Sequence, residues 1–305
     1  MRHRWRDQPR MGQQSVNVGV VDIGTNSMRL LITSDTSEVG RWVEVTGLGQ
    51  GVDERHRLAE EAMQRTLAVF SRFGDLMDQH DVAQRMAIAT SASRDAENRE
   101  DFFDRAEAVL GVRPVLISGE EEGRYAFVGA GGEEEASDLL VSDIGGGSTE
   151  FVERSRVWSI EIGSVRLTER ALNDRPVPPK QVAAARQLVL DMFEEVVVEC
   201  DMVVGVAGTW TSLAAIAQDL ETYQRQRVHG YVLGGSALSG LVNDLAGLSL
   251  RQIESIPALD PKRAPVILAG AIVAESVLTR VGVDSARVSE RDTLDGVASR
   301  LLALL

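Results

Sequence analysis

Cysteine is almost missing from this 305-residue chain: Cys200 stands alone. No intramolecular disulfide can form and no Cys-x-x-Cys metal site exists. The apolar context of Val196, Val197 and Val198 marks Cys200 as a buried bystander in a chain suited to a reducing compartment. Histidine is also scarce. His3, His56, His80 and His229 share no His-Glu-x-x-His or other ligand spacing, so zinc and phosphohistidine chemistry have no basis in the sequence. No apolar run approaches the length of a membrane span. Arg2, Arg4, Arg6 and Arg10 are not followed by the apolar stretch of a secretory leader, so residues 1–14 read as a flexible tail, with Met11 a second candidate start. Basic charge is in deficit as well: the net charge is −14 and the pI about 4.8. That excludes the broad basic face needed for nucleic acid or an anionic membrane. The expectation is a cytoplasmic protein that binds neither.

An apolar content of 44% and a charged content of 26% suit a folded chain long enough for two cores. The most informative feature is a duplicated loop: Asp22-Ile23-Gly24-Thr25-Asn26-Ser27-Met28-Arg29 and Asp143-Ile144-Gly145-Gly146-Gly147-Ser148-Thr149-Glu150. Each copy follows an apolar run and precedes another extended run, giving strand, acidic glycine-rich turn, strand. Glycines admit positive φ and let backbone N–H groups come close to an anion, with the hydroxyls as further donors. An aspartate at the mouth repels phosphate directly but holds a hard cation that bridges to it. Isolated Asp-x-Gly turns are common hairpin connections. Two in register, both with serine at the sixth position, point to paired phosphate grips. The eighth position differs: Arg29 would neutralise phosphate, whereas Glu150 would supply a carboxylate for metal or water.

The remaining pattern repeats the same plan. Arg41–Thr46 reads as a third strand, Leu58–His80 as a helix, Met86–Thr90 as a buried strand, Asn98–Leu110 as a helix and Val112–Ile117 as a strand. Gly129-Ala130-Gly131-Gly132, followed by Glu133, Glu134 and Glu135, is the best break in composition. The run lacks the Lys-Ser/Thr of a P-loop and the full Gly-x-Gly-x-x-Gly, so it reads as a linker. After it come Val157–Ile160 as a third strand, Lys180–Glu199 as a long helix, and Met202–Val204 entering a small-residue turn, Gly205–Thr211. Such an order, occurring twice, resembles the α/β fold of two duplicated ribonuclease-H-like domains with an interdomain cleft, as in actin, sugar kinases and acetate kinase. The expected division is residues 15–134 and 135–291, with the last helix, about 292–305, rejoining the first domain.

Three further stretches are specific: Thr90-Ser91-Ala92-Ser93-Arg94-Asp95-Ala96-Glu97-Asn98, Ile117-Ser118-Gly119-Glu120-Glu121-Glu122-Gly123-Arg124, and Pro261-Lys262-Arg263-Ala264-Pro265 running to Gly270. With Gly163–Arg170 and Val228–Tyr231, they resemble the exopolyphosphatase and guanosine pentaphosphate phosphohydrolase family from Ser15 onward. The resemblance implies hydrolysis of a terminal phosphoryl group in the cleft with Mg²⁺. It assigns water activation to Glu122, leaving Glu121 as an alternative within the glutamate run. Asp143, Glu150 and Asp22 would hold the metal or share the water. Thr25, Asn26, Ser27, Gly145, Gly146, Gly147, Ser148 and Thr149 would cradle phosphates, and Arg29, Arg94 and Arg263 would supply guanidinium forks. Arg94 could instead pair with Asp95 or Glu97 on the surface.

The resemblance also implies a homodimer. Larger family members carry extra helical domains absent here, and Ser289–Gly296 departs from the family's closing pattern by placing Thr and Asp where an arginine-containing variant often lies. Inorganic polyphosphate is the leading substrate and guanosine pentaphosphate the alternative. A non-catalytic polyphosphate or nucleotide sensor, and a small-molecule kinase, are rival classes.

Overall fold

The computed structural model describes residues 16–132, 138–172 and 174–305. Within them, eleven strands form two sheets: β1 (Val18–Ile23), β2 (Ser27–Thr33), β3 (Glu38–Val45), β4 (Gln84–Ala89) and β5 (Val115–Leu116), then β6 (Leu139–Ile144), β7 (Thr149–Val152), β8 (Val157–Ile160), β9 (Met202–Val206), β10 (Val232–Gly234) and β11 (Ser285–Val288). The first sheet has the order β3-β2-β1-β4-β5 and the second β10-β11-β9-β6-β7-β8. Read from the far edge, β8-β7-β6-β9-β11 repeats the order of the first sheet, and β10 adds an antiparallel edge strand. This is the doubled ribonuclease-H-like plan expected from the sequence.

β1 and β6 are buried along their whole length, because helices cover both faces of each sheet. Each nevertheless carries one aspartate, Asp22 or Asp143, one residue before its last. On one side of the first sheet, Phe70 and Phe73 of helix Glu60–Gln79 pack with Phe102 of helix Arg99–Leu110. On its other side, Val18, Val20 and Ile88 meet Leu294, Val297 and Ala298 of the last helix, Thr293–Leu302. The large core of the second sheet is built on Phe151, Phe193 and Trp210, with the two phenyl rings edge to face at 4.8 Å.

Helix Gly119–Gly129 lies against the second sheet's other face, with Ala126 and Phe127 packed on Val141, Val152 and Val204. The same helix also touches the first sheet's packing, through Tyr125 against the cluster of Val18, Val20 and Ile88, so it bridges the two cores before the glycine–glutamate stretch. Composition marked a surface connection there, whereas the side chains of Tyr125 and Phe127 show that the preceding helix serves both cores. Residues 133–137, where the break was expected, lie outside the described residues, as does the tail 1–14. The helices 119–129 and 293–302 cross between the sheets at backbone contact. A Cβ on Gly296 would stand 2.0 Å from the Tyr125 carbonyl oxygen, and one on Gly129 would stand 1.8 Å from that of Asp292.

The long helix expected over 180–199 ends at Met192. Beyond it the run Val196-Val197-Val198 is β-branched and poor in helix propensity, and Val197 is exposed.

Candidate active site

The two turns are equivalent in backbone geometry. The Gly24 N–H donates to the Ser27 carbonyl at 3.1 Å, and the Gly145 N–H to that of Ser148 at 3.0 Å. Each turn is braced from behind. Thr46, Gly47 and Gly49 N–H groups donate to the carbonyls of Asn26 and Thr25, while Ser164 and Val165 N–H groups donate to those of Gly145 and Gly146. The turns face each other closely. A Cβ on Gly146 would stand 2.9 Å from Thr25 Cβ, and one on Gly147 would stand 2.3 Å from Ser91 Oγ. None of the turn glycines Gly24, Gly145, Gly146 or Gly147 adopts positive φ, so the expectation that they supply left-handed backbone is corrected. Space between opposed turns, rather than φ, demands glycine at 146 and 147.

Between them is a narrow cleft of about 70 Å³, room for several waters or a small anion. Of the residues expected from the sequence, Asp22, Thr25, Asn26, Ser27, Arg29, Glu122, Asp143, Gly145, Gly146, Gly147, Ser148 and Arg263 line it. Thr149, Glu150 and Arg94 stand behind its wall. Thr149 is fully buried and its hydroxyl donates to the Ile162 carbonyl at 2.6 Å, so that hydroxyl is not part of the cradle. Glu150 Oε1 accepts from Ser159 Oγ at 2.8 Å.

The hairpin register explains the difference at the eighth position. Asp22 faces Arg29 across β1–β2, whereas Asp143 faces Glu150 across β6–β7. Directly opposed like charges destabilise a sheet. Burial pushes the pKa values of Asp22, Glu122, Asp143 and Glu150 up, Asp143 to about 8, and proximity to Glu122 raises Asp143 and Glu150 further. Asp22 Oδ1 is buried with no hydrogen-bond partner among the described residues. Among those residues no group of three or more His, Cys, Asp or Glu forms a ready cation cage. The donor set instead suits a hard cation held by Asp22 and Asp143 that completes its shell with phosphate and water oxygens.

The structure separates the adjacent glutamates. Glu121 is a helix cap: its carboxylate accepts the Ser118 N–H at 2.9 Å, and Ser118 Oγ accepts the Glu121 N–H at 3.2 Å. Glu122 points into the cleft, and its Oε2 accepts from Arg94 Nη1 at 2.8 Å. Arg94 reaches across the fold instead of pairing with its neighbours. Asp95 is taken by Arg166, and Glu97 pairs with Arg57.

Three arginines surround the cleft in different states. Arg29 is clamped between Asp22 and Asp292, and Arg94 is committed to Glu122. Arg263 has no ion pair among the described residues, and only a 3.4 Å contact to Ser212 Oγ. Burial lowers its pKa, as expected for a cation awaiting an anion.

Several residues at or beside the cleft were given no role from the sequence. Asp292 and Thr293 begin the last helix, and Thr293 Oγ1 donates to Asp143 Oδ2 at 3.2 Å. Ala207 has φ 66°, a strained value for a residue with a Cβ, and it starts the helix Ala207–Ala217, so the first N–H groups of that helix open on the cleft with Gly208 and Thr209. The small-residue turn was the available signal for this last group. Beyond Arg263 and Gly208 the cleft opens into a second chamber of about 410 Å³, walled by Trp42, Val43, Tyr223, Ala258 and Leu294.

The chain matches the Ppx/GppA phosphatase family over residues 20–304. It is 37% identical to exopolyphosphatase 2 of Mycobacterium tuberculosis, covering 93% of this chain and 98% of that protein. It superposes with a TM-score of 0.89 on an exopolyphosphatase-like protein at 34% identity, covering 95% of this chain and all of the other. On the PPX-GPPA enzyme of Aquifex aeolicus the TM-score is 0.78 at 31% identity, with 93% and 99% covered. With the opposed turns and buried carboxylates already in place, these matches make the chain a member of the Ppx/GppA phosphatase family.

Proposed function

We propose that this protein is an exopolyphosphatase, a hydrolase that releases terminal phosphate from inorganic polyphosphate with Mg²⁺. The observation that carries the reading is the convergence of both turns on one cleft, with Glu122 and Asp143 lining it and Arg263 unpaired at its mouth. The N–H groups and hydroxyls of Thr25–Ser27 and Gly146–Ser148 cradle phosphate oxygens, and Arg263 pairs with the chain entering from outside. Glu122, oriented through Oε2 by Arg94, takes a proton from the attacking water at Oε1. Burial raises its pKa, which makes it a stronger base than an ordinary carboxylate. Water oxygen bonds to the terminal phosphorus as the bridging P–O bond breaks, and the shortened chain leaves with its electron pair. Asp22 and Asp143 would hold Mg²⁺, which would supply charge neutralisation for the phosphoryl oxygens. A homodimer and a cytoplasmic location are further parts of the proposal, read by gel filtration and by fractionation.

A second reading is guanosine pentaphosphate hydrolysis. It is favoured by the 410 Å³ chamber beside the cleft, whose Trp42, Tyr223 and Ala258 offer an apolar wall to a base. Phosphate release from short polyphosphate, long polyphosphate and guanosine pentaphosphate, measured side by side with Mg²⁺, decides between them. Preference for either polyphosphate supports the first reading. Binding of all three without release would put a sensor in place of the enzyme.

A further inference from the structure

Arg29 is gripped by two carboxylates from the two ends of the chain, each through a direct hydrogen bond. Its Nε and Nη2 groups donate to Asp22 Oδ2 at 2.9 and 2.5 Å, and its Nη1 donates to Asp292 Oδ2, 263 residues away. Asp292 is 6% exposed and performs two tasks at once. Its Oδ1 caps the last helix by accepting the Leu294 N–H at 3.0 Å, while Oδ2 holds Arg29. Burial works against the charge on Arg29, but Asp292, Asp22 and Asp143 more than offset it, so the guanidinium stays charged. A guanidinium has five N–H donors. Three are committed, and Arg29 lines the cleft with two left to offer.

We propose that Asp292 is a positioning residue that acts through Arg29, fixing its guanidinium in one orientation toward the phosphate chain. This rests on the reading of the cleft as a phosphate-chain hydrolase. The arrangement has a cost and a benefit. The second carboxylate adds negative charge beside a site for a polyanion, which weakens ground-state binding. It also stops the guanidinium from turning to follow the ground-state phosphate, so its remaining donors are aimed before the reaction begins. Asp292 therefore trades affinity for turnover, which a helix cap alone cannot do.

The test is Asp292→Asn, which keeps both the side-chain shape and a good capping residue while removing the charge. On tripolyphosphate with Mg²⁺, kcat is expected to fall about tenfold, the scale of a misaligned charged hydrogen bond, while KM falls severalfold. In an Arg29→Ala background the same change is expected to leave kcat within about twofold, because the group it acts through is gone, while KM still falls because the negative charge is removed in either background. A readout independent of turnover is tripolyphosphate binding by calorimetry in Glu122→Gln protein, where Asp292→Asn should tighten binding severalfold. If wild type binds tripolyphosphate without hydrolysing it, the enzymatic reading fails and the binding arm still tests Asp292. Unchanged binding and turnover, or an equal fall in kcat with and without Arg29, overturns the proposal. If Asp292→Asn does not fold, Asp292→Ser, which also caps, is read in its place under the same criteria.

Discussion

Glu122→Gln separates activity from stability in a way the structure quantifies. The Arg94–Glu122 contact is 2.8 Å and both side chains are mostly shielded, at 16% and 13% exposed. Replacing the carboxylate with an amide turns a charge-assisted hydrogen bond into a neutral one, a loss of about 1 kcal/mol. Against this, Glu122 crowds Asp143 and Glu150 with like charge, and removing it relieves both. The two effects oppose, so thermal unfolding should shift by no more than about 4 °C. Turnover responds to only one of them. Loss of a positioned general base costs about 10²–10⁴-fold, or roughly 3–5 kcal/mol of barrier. Phosphate release with saturating Mg²⁺ and polyphosphate, read beside a melting curve, measures both. The companion Glu121→Gln preserves a capping-box residue and should leave turnover near wild type. A Glu122→Gln enzyme within tenfold of wild type would refute the assignment, and a collapse in the Glu121→Gln variant instead would move the base one residue earlier.

Three further outcomes follow from the same geometry. In metal-free protein, the buried carboxylates keep protons that their unfolded counterparts have already released. Stability should therefore fall as pH rises from about 5 to 9, through the Asp143 pKa of about 8, and Asp143→Asn should flatten the profile; a Tm that rises over this range in EDTA would contradict the burial argument. Arg263→Ala removes an unpaired cation, so KM for polyphosphate should rise about 10–100-fold while Tm holds or increases, whereas a large drop in Tm would show that Arg263 is structural. Gly296→Ala places a methyl 2.0 Å from the Tyr125 carbonyl oxygen, and overpacking of about 1–3 kcal/mol should lower Tm by several degrees in a melting scan.

What could be read from the sequence was whatever the chain repeats or keeps local. The twin turns, Asp22, Asp143 and the strand order rest on a duplicated local pattern, and the alternation of strand and helix reflects burial on both faces. The choice between Glu121 and Glu122 was also local. Ser118-Gly119-Glu120-Glu121 is a Ser-x-x-Glu capping box, which commits Glu121 to its own helix and leaves the next residue to face the cleft. What the sequence withheld are long-range partnerships. Arg29 looked like a free phosphate ligand because Asp292, its second carboxylate, lies 263 residues away. Arg94 has Asp95 beside it and bonds Glu122 instead, because Arg166 from the other half of the chain claims Asp95. Reading charge from neighbours in sequence fails at such a cleft for one reason: a buried arginine takes the partner that the fold presents. The arginine left unpaired, Arg263, is then identified by elimination in three dimensions. The same logic that explains why Arg29 and Arg94 are internally neutralised makes Arg263 the guanidinium with most to gain from a phosphate chain.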